Sequence, residues 1–90
     1  MTIHRFAARS DANRAEIVSV FREYDWTVYD IRRPVDLMIG KGGITILVEI
    51  KNGKGKHTKA QTDFMANWKG GAVITIRDVE GARTVARMVG

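Results

Sequence analysis

The sequence predicts an α/β domain: a mixed central sheet flanked by helices, in the order helix, three strands, helix, strand, short C-terminal helix. Three observations lead there. Apolar residues switch between helical spacing and two-residue alternation along the chain. Breaks at Arg32-Arg33-Pro34, Gly40-Lys41-Gly42-Gly43 and Gly70-Gly71 divide it into short elements. A helix-length segment separates the third strand from the fourth, so those two can run parallel through a right-handed crossover.

Taken in order, residues 1–9 carry two arginines and little periodicity, and read as a mobile arm. Ser10 and Asp11 are helix-capping types. Asn13, Ile17, Val20, Phe21 and Tyr24 then share a helical face, which predicts a first helix over about 11–24. Trp26 to Ile31 is aromatic and β-branched and reads as a strand. Pro34, the only proline, has no backbone donor and suits the start of the next strand, Val35 to Ile39. The glycine-rich turn at 40–43 joins it as a hairpin to Ile44 to Lys51. Asn52 to His57 is a loop rich in Gly and Lys. Thr58 and Gln61 fit a capping box that opens a helix over about 59–69, with Phe64, Met65 and Trp68 as its apolar face. Gly70-Gly71 closes it. Ala72 to Ile76 is a buried-type strand, and Asp78 caps a last helix carrying Val79, Ala82, Val85, Ala86 and Val89. Trp26, Phe64 and Trp68 are read as core.

Ninety residues suit one domain with one modest core. The absence of cysteine excludes disulfides and thiolate metal sites. His4 and His57 are too far apart in sequence to suggest a zinc site. No stretch approaches the ~18 apolar residues of a membrane span, and the N-terminus lacks an apolar signal core, so a soluble, intracellular protein with no membrane partner is expected. Fifteen Lys and Arg against ten Asp and Glu give a charge of +5. That excess points to a polyanionic partner, nucleic acid above all.

The chemistry concentrates in the two central strands. Alternation sends Ile44, Ile46, Val48 and Ile50 to one face, and Thr45, Leu47, Glu49 and Lys51 to the other. Asp36 begins the partner strand. Burying unpaired charge is expensive, and even a paired set rarely improves on apolar packing. Two nearby carboxylates repel and call for a cation, and oxygen donors suit magnesium or manganese. Lys51 can hold a water or stabilise charge developing on phosphorus, and the Ile50 carbonyl can serve as a further ligand. The plainer alternative is a solvated Glu49–Lys51 ion pair with Asp36 unrelated to it.

The run Pro34-Val35-Asp36-Leu37-Met38-Ile39-Gly40, then Val48-Glu49-Ile50-Lys51, then Gln61, resembles the PD-(D/E)XK nuclease superfamily, and most of all its compact VRR-NUC branch from phages, related in fold to Holliday-junction resolvases. The similarity spans about residues 11–77. It implies a restriction-endonuclease-like αβββαβ core and metal-dependent hydrolysis of DNA. It makes Asp36 and Glu49 the metal ligands, assisted by Ile50, Lys51 the catalytic lysine, Gln61 the glutamine on the following helix, and Glu16 an acid contacting metal from the first helix. Small relatives are often homodimers. The family usually joins Pro and Asp directly, whereas Val35 separates them here.

Each supporting residue also has a plainer reading. A capping box alone explains Gln61, and Glu16 can be a solvated helix residue. Arg9, Arg14, Arg32, Arg33, Lys54 and Lys56 can track DNA phosphates or be ordinary surface cations. So small a surface favours recognition of DNA shape, as in branched, flapped or four-way-junction DNA, over a base code. A catalytically inactive nucleic-acid-binding module and a protein-interaction domain are the competing functions.

Overall fold

Two glycines build the hairpin at the centre of the fold. The computed structural model describes residues 2–52 and 54–90, with side chains from Asn13 onward. Its elements are α1 (Thr2–Glu23), β1 (Thr27–Asp30), β2 (Leu37–Lys41), β3 (Ile44–Ile50), α2 (Lys59–Asn67), β4 (Val73–Ile76) and α3 (Val79–Ala86). Gly42 and Gly43 take φ values of 59° and 82°, the left-handed pair that suits a two-residue turn to the twist of its strands. The turn is tighter than expected because Gly40 and Lys41 stay in β2, opposite Thr45 and Ile44.

The sheet order is β1-β2-β3-β4. β1 and β3 run antiparallel to β2, and β4 runs parallel to β3. This is a mixed four-stranded sheet flanked by helices, as predicted. One face carries Val28, Leu37, Ile39, Val48 and Ile76 against α1 and α3, where Ile17, Phe21, Ala82 and Ala86 are fully buried. Small residues on α3 let it lie close to α1. Trp26 meets Phe21 edge-on, with centroids 5.9 Å apart, and its indole N–H donates to the Ala86 carbonyl at 3.0 Å. Trp26 therefore ties the end of α3 to the core.

Several boundaries differ from the sequence reading. The expected arm is helical from Thr2, so α1 starts nine residues before position 11. Ser10 and Asp11 lie within that helix, and Ala7 and Ala8 before them are strong helix formers. Asp36 lies just ahead of β2 rather than inside it. Val35, which separates it from Pro34, is fully buried. α2 ends at Asn67 and has no buried residue. Trp68 turns to extended backbone, and a β-carbon on Gly70 would stand 2.4 Å from its ring. Gly70 makes room for an indole instead of capping a helix, and Trp68 is 44% exposed, contrary to the core reading. No helix among the described residues is long and apolar enough to cross a membrane.

Asp78 accepts from the Gly81 N–H at 2.7 Å and caps α3. Asp78→Ala is expected to cost about 1 kcal/mol, seen as a drop of roughly 4–8 °C in melting temperature for a domain of this size.

Candidate active site

β3 turns Ile46, Val48 and Ile50 to the helix-packed face, and Leu47 and Glu49 to the other. In the register, Leu37 faces Val48. One step further out sets Asp36 opposite Glu49, so both carboxylates share a face. Glu49 is only 3% exposed. Its Oε2 accepts from Gln61 Nε2 at 2.7 Å and lies 3.5 Å from Lys51 Nζ. Its Oε1 is buried with no hydrogen-bond partner. Asp36 Oδ2 accepts from the Ile50 backbone N–H at 2.7 Å, and Oδ1 accepts from the Arg14 guanidinium. Arg14 also reaches Asp30 at 3.4 Å.

Burial first, and the neighbouring Asp36 second, together push the Glu49 carboxyl up from 4.5 to about 7, against a smaller opposing pull from Lys51. The two carboxyl groups thus lie close enough to repel each other.

Gln61 caps α2 and reaches Glu49 at once. Its Oε1 accepts from the Thr58 N–H at 2.9 Å, while Thr58 Oγ1 accepts from the Gln61 N–H at 3.1 Å. This closes the capping box and leaves the amide NH2 free to hold Glu49. Helix start and carboxylate orientation are therefore one construction.

Asp36, Glu49, Lys51 and Gln61 come together, with Ile50 contributing its backbone N–H to Asp36. Glu16 is exposed and borders a groove with Glu23, Val79 and Arg83. Among the described residues Arg14 is the α1 side chain that reaches Asp36, and two residues along a helix turn through about 200°, so Glu16 faces another way. Among the described residues no group of three or more His, Asp or Glu gathers to hold a metal ion. Arg32, Arg33, Lys54 and Lys56 are exposed; Arg32 lies 3.8 Å from Asp30. The side chain of Arg9 lies outside the described residues. The loop after Lys51 is tied down: Gly55 O accepts from Arg77 at 2.6 Å, and His57 Nε2 pairs with Thr75 Oγ1 at 2.8 Å.

Sequence reasoning missed three features. Arg14 was read as a DNA contact, not as the partner of Asp36. Thr75 sits beside Glu49 across the parallel register. Asn13 keeps a buried amide nitrogen without a partner; its only sequence signal was a polar residue on the apolar face of the helix.

No family model, curated protein or solved structure matches this chain.

A folded-state pKa above the ordinary carboxylate value means that Glu49 contributes a penalty absent below pH 4.5 and fully present above about pH 7. The metal-free protein is expected to lose roughly 3 kcal/mol across that window from this group. Glu49→Gln should flatten the melting-temperature profile between pH 5 and 8. Parallel profiles for variant and wild type would show that the carboxyl is not burdened in this way.

Proposed function

We propose that this chain is a magnesium- or manganese-dependent DNA endonuclease of the PD-(D/E)XK superfamily, in its VRR-NUC branch, selective for branched or otherwise structured DNA. One observation carries the reading: Asp36 and Glu49 meet in a largely buried site beside Lys51 and Gln61, on a chain of charge +5. The element order, helix, three strands, helix and strand, agrees with the restriction-endonuclease-like core that the resemblance implies.

The donor set suits a hard divalent ion. Asp36, Glu49 and the Ile50 carbonyl would hold it. Two carboxylates are enough, since magnesium usually completes its shell with waters and substrate phosphate. The unpartnered Glu49 Oε1 is a donor atom available for this. When bound, such an ion polarises a phosphate oxygen and lowers the pKa of a coordinated water.

The remaining work belongs to the chain. Lys51 orients the attacking water and offsets charge developing on phosphorus. Gln61 holds Glu49 in place through its amide. Arg14 neutralises Asp36 in the metal-free protein and turns to a phosphate when the acids are otherwise neutralised. Arg32, Arg33, Lys54 and Lys56 track the DNA backbone. A homodimer would bring two such sites to two strands, and a monomeric mass by light scattering would remove that part of the proposal.

A second reading has its own support. Two acids without a third, one of them paired with arginine, also suit a nucleic-acid-binding module without catalysis. Incubation with nicked, flapped, forked and four-way-junction DNA plus manganese separates the two. Cleavage by wild type is expected, with Asp36→Ala and Lys51→Ala slower by on the order of 10²–10³ or more. Binding without cleavage would favour the silent module, and equal cleavage by all three proteins would place the activity elsewhere.

The double duty of Gln61 gives a finer test. Thr58→Ala and Gln61→Ala should both destabilise α2 by about 1 kcal/mol, but only Gln61→Ala should also reduce cleavage markedly. Equal loss of cleavage in the two variants would reduce Gln61 to a helix cap.

A further inference from the structure

The tryptophan that follows α2 stands out from the sheet, yet it is held firmly. The indole N–H of Trp68 donates to the Gly71 carbonyl at 2.9 Å. Its ring leans on Phe64, with centroids 5.3 Å apart and planes 34° apart. Gly70 clears the space that the ring occupies. Tryptophan has two rotatable side-chain bonds, so these contacts present a fixed aromatic surface at little entropic cost.

That surface forms one wall of a cleft of about 330 Å³, opposite Met38, Thr45 and Leu47. No charged group lines the cleft. Leu47 and Glu49 are alternate residues on one face of β3. The cleft therefore opens about 7 Å from the carboxylate pair, roughly one nucleotide step along an extended strand. Lys51 lies on the same face beyond Glu49, and Lys69 follows Trp68 in the chain. An apolar slot that leads along β3 toward Lys51 complements an aromatic ring joined to a phosphate backbone.

We infer that this cleft receives an unpaired nucleobase of the bound DNA, stacked on Trp68, while a neighbouring phosphate lies at Glu49 and Lys51; the inference rests on the nuclease reading above. Bases inside a duplex are already stacked and cannot enter such a slot, so the preferred substrate carries a single-stranded segment at the cut, as a flap or fork does. A second copy of the chain is a poorer occupant. A stable dimer interface covers on the order of 800 Å² per partner, whereas this cleft has the size of one ring system and runs on into a charged centre.

The test compares labelled oligothymidylate with an all-abasic oligomer of the same length, which carries the same phosphates without bases. Binding is followed by fluorescence anisotropy in EDTA, with cleavage of flapped DNA in manganese measured alongside. Wild type should prefer the base-bearing strand by roughly five- to a hundred-fold, the range for stacking one base on an aromatic side chain. Trp68→Ala should erase that preference while remaining folded by circular dichroism, and Trp68→Phe should retain most of it. If wild type shows no preference, or Trp68→Ala keeps it, while flapped DNA is still cut, the base slot is wrong and the nuclease reading stands. If wild type neither binds nor cuts any DNA, the nuclease reading falls and the slot with it. A lower solution mass for Trp68→Ala than for wild type would assign the cleft to contact between copies and overturn the inference.

Discussion

The antiparallel register of β2 on β3 governs where every charge in the centre goes. With Leu37 opposite Val48, these two and Ile39 meet the helix-packed core, and Glu49 is left on the other face. A slip of one residue would carry Glu49 and Lys51 into the helix-packed core and bring Val48 out. The two-residue turn at Gly42-Gly43 fixes that register from one end. The Ile50 N–H bond to Asp36 fixes it from the other, and the two lie at opposite ends of the same pair of strands. The acid is thus both a register pin and half of the carboxylate pair.

The energetics of that pair explain its surroundings. Two neighbouring carboxylates would repel each other out of a low-dielectric site unless something compensates. Lys51, Gln61, Arg14 and the Ile50 amide each offset part of the repulsion, and still the Glu49 carboxyl rests near 7. A set arranged for stability alone would replace these groups with apolar ones of similar volume.

Much of this was legible from residues alone, where local rules dominate. Strand alternation sorted Glu49 and Lys51 from Val48 and Ile50, and the Thr58–Gln61 spacing marked the start of α2. The parallel return of β4 followed from the length of the crossover. What stayed hidden depends on distant partners. Arg14 could not be matched to Asp36, because helical spacing says which face a residue occupies and not what lies beyond it. Glu16 was placed at the carboxylates by resemblance, while the rotation of α1 turns it toward Arg83. The exposure of Trp68 escaped notice because its neighbours Phe64 and Met65 looked like an ordinary buried stripe. α2 in fact buries none of its residues.

The two tryptophans stand on opposite sides of the sheet in opposite surroundings. Trp26 is sealed into the core and hydrogen-bonded to the end of α3, and Trp68 is open to water. An indole in an apolar setting emits at shorter wavelength than one in water, so the molecule carries two spectrally distinct built-in lamps. The blue one reports whether the C-terminal helix is seated on the core. The red one reports what touches the far face. Loss of packing and occupancy of the cleft can therefore be followed separately in the same unlabelled sample.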